Sequence, residues 1–416
     1  MAKDNSGFFK VKNSWSEVKD NLLGCYLVPY FQKILRTGKP VLYVDCFAGK
    51  GVFEDGKKGS PVIALDARDR SLGQARILSV NNRIDSCFIE LNHSDVLADN
   101  VSCYNNDICC VSVVAGRYED NIEYILNNAI GYNVFLYIDP YGIRALDAAM
   151  FDRFAGYGFN SIEMLINFNS FGFFRDACRV MKVNCSCDDV FNGLEELVEY
   201  DPTVFDSGSG SYDLLSSIAG GDYWKGIVLD YNRKEINGRE AERRLSLEYK
   251  KRLRKCFNYV LDMPIRLKSG SQPKYRMIHV SNHEAGCCLM ANNMLKRKGE
   301  LVFDVQKSVQ GSLLDYTPNF ASGVEGDYVP IGYIRDRMKQ YVAGINGGVG
   351  LTKFLAGFIG EYGILCDFKH LHGVIDELCD QKMIDIERTP AVTGTGRKTT
   401  FWEEKGGQKV VLRRCF

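Results

Sequence analysis

The apolar positions of this chain fall into short runs separated by amphipathic stretches. Five runs carry the β-branched and aromatic residues of buried strands: Val41–Phe47, Ser86–Leu91, Val111–Ala115, Val134–Ile138 and Ile162–Phe168. Most are short and continuous, the pattern of strands covered on both faces. Helical spacing occupies the intervals, at Val62–Arg68, Tyr118–Asn128 and Ala145–Phe154. Strands alternating with helices predict an α/β fold with a doubly wound parallel sheet. Ahead of them, Ser14–Leu35 has the period of an amphipathic helix, with Leu22, Leu23, Tyr26, Leu27, Tyr30 and Phe31 on its apolar face. Ser14 or Ser16 can cap it, Glu17 completes a capping box from Ser14, and Gly38-Lys39-Pro40 ends the unit.

Beyond the fifth run the pattern changes. Residues 171–232 are less regular, with a Ser/Gly stretch at Ser207–Ser211, and read as an insertion. A helix over Arg239–Phe257 follows. At about 100° per residue, Leu245, Tyr249, Leu253, Cys256 and Val260 share one face, and Arg243, Arg244, Lys250, Lys251, Arg254 and Lys255 the other. A strand pair is predicted at Phe257–Leu267 and Tyr275–Val280, then a helix at His283–Lys298. Asn319–Asp327 is a Gly/Ser-containing connection. Helices near Ile331–Val342, Leu351–Glu361 and Phe368–Gln381 precede strands near Met383–Arg388 and Thr399–Val411. Three helices and a hairpin are the pattern of a winged helix-turn-helix. Lys369, His370 and His372 would begin its recognition helix, and Arg397, Lys398 and Lys409 would lie on or near the wing. The expected organisation is 1–300, a linker over 301–328, and a C-terminal domain over 329–416.

The length of 416 residues asks for more than one core, and a chain 45% hydrophobic and 25% charged is packed rather than disordered. No apolar run reaches the roughly 18–20 residues of a membrane span, and the charged start MAKDNSGFFKVKNSW is not a signal peptide, so no membrane is expected. Fifteen cysteines are scattered over the chain, with Cys109-Cys110 and Cys287-Cys288 in apolar runs. That usage fits free thiols in a reducing, cytoplasmic compartment better than a disulfide scaffold. Cys185-x-Cys187 could be half of a metal site, but no second half stands at standard spacing, so no metal is expected. Net charge is zero, yet residues 233–298 hold 17 Lys and Arg against 6 Asp and Glu, a surplus of 11. Such a block offers a face to an anionic partner such as DNA or RNA; a solvated helix face is the alternative.

The chemistry sits at the ends of the strands. Asp45-Cys46-Phe47-Ala48-Gly49-Lys50-Gly51 follows the first one, where a glycine-rich turn lets the backbone approach a ligand. It is not the dinucleotide fingerprint; Asp-x-Phe-x-Gly-x-Gly is the turn type that binds S-adenosylmethionine (SAM). The acid can receive the methionine ammonium. Glu90 ends the second run and can accept the ribose hydroxyls, with Asn92 or Asp95 as substitutes, and Ala115–Glu119 passes beside the adenine, where Tyr118 could touch it. Asp139-Pro140-Tyr141-Gly142 closes the fourth run. An Asp oxygen and the Pro carbonyl can hold an exocyclic amine while the aromatic ring stacks on a flat base. Glu163 and Asn167 lie on the fifth run, and Asn167, at its carboxyl end, can line the pocket or be a satisfied core amide.

Together, Trp15-Ser16-Glu17-x-Lys19, Tyr26-Leu27, Asp45-x-Phe47-Ala48-Gly49-x-Gly51, Gly59-Ser60-Pro61, Glu90, Asp139-Pro140-Tyr141-Gly142 and Glu163-x-x-x-Asn167-Phe168 resemble the three-Cys-motif partner protein (TcmP) family over most of the first 300 residues. The C-terminal segment is similar to the winged-helix domain often attached to that family. The resemblance implies a bacterial, SAM-dependent, class I methyltransferase-like protein, with a three-Cys-motif protein of radical-SAM-like character as genomic neighbour and partner. Amino-methylating nucleic-acid enzymes carry Asp/Asn-Pro-Pro-Tyr/Phe; here Tyr141 stands at the second Pro and Gly142 at the aromatic. Three activities are compatible with these residues: methylation of a nucleic acid, a non-catalytic SAM-fold subunit working with its partner, and methylation of a peptide or small molecule.

Overall fold

The computed structural model describes residues 9–10, 12, 14–106, 108–185, 209–266, 272–306, 320–325 and 328–415. The chain divides into two compact units, Met1–Asn282 and His283–Phe416.

In the first unit, α1 (Ser14–Ile34) leads into β1 (Val41–Asp45), and α2 (Ser60–Ile77), β2 (Ile84–Glu90), α3 (Ser94–Val101), β3 (Val111–Ala115), α4 (Tyr118–Asn127), β4 (Asn133–Ile138), α5 (Ala148–Gly156) and β5 (Ser161–Phe168) follow in alternation. Then come α6 (Ser170–Val180), α7 (Ser209–Ala219), α8 (Tyr223–Asn232), α9 (Gly238–Leu253), β6 (Tyr259–Arg266) and β7 (Pro273–Ser281). Seven strands make one mixed sheet in the order β3-β2-β1-β4-β5-β7-β6. The first five in that order run parallel, β7 is antiparallel to β5, and β6 is antiparallel to β7.

Alternate residues of each strand fill opposite cores, which is why the strands read as continuous apolar runs. Val44, Leu136, Ile138, Met164 and Ile166 pack with Ile122, Phe151, Phe154 and Phe174. On the other face Tyr43 and Phe135 stack at 6.0 Å, and Tyr26 and Tyr30 of α1 meet Phe135 at 5.8 and 5.2 Å. Glu163 faces this second core and is satisfied there by Tyr26, His279 (3.0 Å) and Ser281 (3.2 Å). It is a structural carboxylate. Glu17 pairs with Lys57.

The segment 171–232, expected to be irregular, is mostly helical where described, with non-helical residues at 181–185 after α6 and at 220–222 between α7 and α8. In α6, Phe171, Phe173, Phe174, Ala177, Cys178 and Val180 are all buried. Only Arg175 and Arg179 of α6 are not buried, so this helix is covered on nearly every side. Residues 186–208, with Cys187, lie outside the described residues. The stripe of α9 ends at buried Leu253; Val260 already belongs to β6.

The second unit contains α10 (Glu284–Gln306), β8 (Phe320–Ser322), β9 (Tyr328–Pro330), α11 (Ile331–Ala343), β10 (Gly348–Gly350), α12 (Leu351–Tyr362), α13 (Phe368–Asp380), β11 (Ile384–Thr389) and β12 (Lys409–Arg414). Helix α10 packs in this unit, its Cys288 thiol reaching the Thr352 carbonyl of α12 at 3.5 Å. The division therefore falls before α10, ahead of the boundary that the sequence pattern set after it. The three-stranded sheet has the order β10-β12-β11. The strand expected from Thr399 begins only at Lys409. The intervening Trp402 is held by ring stacking on His372 at 4.4 Å instead of by a strand ladder. The fourteen described cysteines are free, and among the described residues no cluster of His, Cys, Asp and Glu could hold a metal ion. No described helix is long and apolar enough to cross a membrane.

Candidate functional site

A strand's two-residue period sets which side chains meet. In β1, β4 and β5 the residues facing α1 are odd-numbered, so Asp45, Asp139 and Asn167 reach the carboxyl ends of neighbouring strands on one face.

The turn after β1 is held from both sides: the Cys46 amide donates to the Tyr137 carbonyl (2.9 Å) and the Ala48 amide to the Ile89 carbonyl (3.0 Å). Gly49 and Gly51 then adopt φ of +64° and +77°, backbone that a β-carbon disfavours. A Cβ on Gly49 would lie 3.0 Å from the Phe9 ring. Phe47, Ala48, Gly49 and Gly51 form one wall of an open cleft, and Asp139, Pro140, Tyr141 and Asn167 another. Its free space, counted out through the mouth into solvent, is ≈ 640 Å³. Sequence reasoning found both walls but missed the roof: Ser16, Lys19 and Asp20 of α1, with Phe9, Phe53 and Ser60. Lys19 and Ser60 stood inside the quoted motifs; Phe9 had no signal at all.

Asp45 is fully buried beneath the turn. Its Oδ1 accepts from the Phe47 amide at 3.2 Å, and Oδ2 has no hydrogen-bond partner. Burial pushes its carboxyl up to about 7, against the opposing pull of Ser60 and the Phe47 amide. Asp139 is held quite differently. Lys19 Nζ donates to both of its oxygens (2.8 and 2.7 Å), the Asn167 amide to Oδ1 (2.6 Å) and the Tyr137 hydroxyl to Oδ2 (3.2 Å). A carboxylate offers about four lone-pair sites, and these bonds occupy them, so Asp139 is not free to hold an amine as expected. Because the Asn167 nitrogen must face Asp139, its Oδ1 is the oxygen left over, buried and without a partner. Asp20, buried and paired with Lys12, is pushed up by burial to about 6.

Glu90 ties the ends of two strands together. It accepts from the Gly49 amide (2.8 Å), the Asn92 amide (2.9 Å) and the His93 amide (3.2 Å). By the same count one lone-pair site remains. Tyr118 does not line the cleft; it is buried beneath Phe47, ring to ring at 5.3 Å.

The cations expected to form a basic face are largely committed within the molecule. Arg243 pairs with Glu240, Arg244 with Glu240 and Asp230, Lys251 with Glu248, and Lys250 turns to the buried Asp262. Arg254 and Lys255 are exposed just past α9. In the second unit Lys369, Arg397, Lys398 and Lys409 are exposed, and no ion pair involves them among the described residues. His370 pairs with Asp367 at 2.8 Å. His372, desolvated by burial, is lowered to about 4 and is neutral at pH 7.

No protein-family model matches this chain, and no curated protein matches it.

Proposed function

We propose that this chain is a SAM-dependent, class I methyltransferase-like protein that acts on a nucleic acid. The observation that carries the reading is the meeting of Phe47–Gly51, the turn after Asp45, with Asp139, Pro140, Tyr141 and Asn167 in one cleft, at the strand ends where open α/β sheets take ligands. A sheet with β7 antiparallel between β5 and β6 supports the class I fold. The cofactor supplies, when bound, a methyl group on an electron-poor sulfur. In this reading the partnerless Oδ2 of Asp45 accepts the methionine ammonium, the backbone of the Gly49–Gly51 turn flanks the ligand, and Glu90 gives its last lone pair to a ribose hydroxyl. Asn167 Oδ1 accepts the N–H of the methyl acceptor, Asp139 and Lys19 hold Asn167 in place, and Pro140 and Tyr141 flank a flat base.

The run α11, β10, α12, α13, β11, β12 with sheet order β10-β12-β11 supports a winged helix-turn-helix. Its wing would span the connection from β11 to β12, and Arg397 and Lys398 there are better placed for phosphates than the ion-paired cations of α9. The donors filling Glu90 and Asp139 favour a second reading: a SAM-fold subunit without catalysis of its own, working with a three-Cys-motif partner.

Calorimetry with S-adenosylhomocysteine tests the first step. One site per chain is expected, with affinity rising as pH passes about 7 and Asp45 ionises; no binding at any pH defeats the reading. Gel shifts over a salt series test the second. Arg397→Glu with Lys398→Glu should weaken DNA or RNA binding about tenfold, and Arg243→Glu with Arg244→Glu by less than about threefold. No shift at low salt removes the nucleic acid and leaves the partner reading.

A further inference from the structure

Phe9 belongs to the short segment preceding α1, yet its side chain is only 4% exposed. Its ring lies against Gly49, where an added Cβ would come within 3.0 and 3.2 Å of two ring carbons. His93 meets it edge-on at 5.2 Å, Phe53 packs at 5.8 Å, and Lys50 Nζ stands 5.0 Å from the ring centre. Gly49 and His93 are also the two sides of the Glu90 bridge, donating to its Oε2 and Oε1. Phe9 therefore spans the ground between the turn after β1 and the end of β2. In open α/β sheets of this kind an acid beyond the first βα turn holds the ribose, and Glu90, at the end of β2, stands in that place beside Phe9.

The segment is pinned from outside. The Glu54 amide donates to the Phe9 carbonyl (2.8 Å), the Lys12 amide to Asp55 (3.2 Å), and Lys12 Nζ to the Lys58 carbonyl (2.6 Å). Lys12 also pairs with Asp20 of α1. These bonds hold the ring down without making it part of the sheet's core.

We infer that Phe9 is a resident plug of the nucleoside subsite, which a purine nucleoside can enter only when the ring withdraws. This rests on the proposed cofactor reading and adds a control to it. Phe9 is a plug and not a stacking platform, because its surroundings leave almost none of the ring open to a base. Apparent affinity is then the intrinsic affinity reduced by the fraction of chains with the plug out. Exposing a buried Phe sets that fraction at roughly 0.01–0.1.

The test is calorimetry with S-adenosylhomocysteine on the full chain. Phe9→Ala should bind about ten- to a hundredfold tighter than the parent, and Phe9→Trp no tighter. Saturating ligand should also speed tryptic cleavage of the parent after Lys10 and Lys12, as the segment is expelled. Unchanged affinity in Phe9→Ala or unchanged cleavage overturns the plug; weaker affinity overturns it too and makes Phe9 a wall that stacks on the ligand. If Phe9→Ala melts early, a chain lacking residues 1–9 takes its place, and equal affinity in that chain overturns the plug. If parent, Phe9→Ala and shortened chain all fail to bind, the cofactor reading falls; binding by all three with equal affinity removes the plug alone.

Discussion

Asp45 ends β1 and Asp139 follows β4, the adjacent strand; Asp139 lines the cleft and Asp45 is buried beneath the glycine turn that forms its wall. Asp45 sits in a closed space with one oxygen unpartnered and its proton held up to about 7. Asp139 receives Lys19, Asn167 and Tyr137 and has no site to spare. Two acids at equivalent ends of neighbouring strands thus have opposite capacities. What an acid can do is set by the donors that the rest of the fold sends to it: Asp45 keeps one oxygen without a donor, whereas Asp139 orients Asn167.

The largest expected effect is on pH dependence. Asp45 has an ordinary value of 3.8 and is raised to about 7 when folded, so its stabilising proton is fully held below about pH 4. That contribution is lost as pH rises through about 7, so the parent should lose on the order of 4 kcal/mol across this interval. Asp45→Asn should lack this fall, read as the difference between parent and variant in denaturant melts at each pH, since Asp20 titrates in the same direction. Parallel curves would break the comparison. Next, Lys19→Met leaves the Asp139 charge without its counter-ion. With side-chain exposures of 10% and 20% in this pair, a loss of about 3 kcal/mol in unfolding free energy is expected. Lys19→Met with Asp139→Asn should recover part of it; full additivity in the double-mutant cycle would show that the pair is not coupled.

Third, Gly49→Val places a β-branched residue at φ +64° and should weaken S-adenosylhomocysteine binding about a hundredfold, about 2.7 kcal/mol, while the chain stays folded. Equal affinity by calorimetry would remove the turn from the cofactor site. The smallest effect is Tyr137→Phe, which removes the most distant of the Asp139 donors at 3.2 Å. It should cost about 0.5–1 kcal/mol in thermal or chemical unfolding. A larger loss would mean that the hydroxyl, and not Lys19, anchors Asp139.

The strands were legible because burial on both faces leaves continuous apolar runs, and all of the first five were located to within two residues at either end. The turn after β1 was legible because glycines are needed where the backbone runs at positive φ. The α6–α8 region was not: in the ten residues of α8, for instance, only Trp224, Ile227 and Val228 are buried, too few to set a period. Nor was the pairing of α9: sequence places Arg243 and Arg244 on a polar face, but only folding brings Asp230 of α8 to Arg244 and Asp262 of β6 to Lys250.

By itself the sequence determined the alternating α/β order, the glycine turn with its acid, and the position of Asp139 and Asn167 at strand ends. These follow from local periodicity and backbone sterics, which a stretch of chain carries with it wherever it folds. Only the tertiary structure decided that Lys19 would fill Asp139, that Glu90 would bridge two strand ends, that Tyr118 would sink beneath Phe47, and that Phe9 would cover Gly49. Each of those outcomes depends on groups distant along the chain meeting in a space of low dielectric, where a single donor, or its absence, changes what a carboxylate or an open backbone can do.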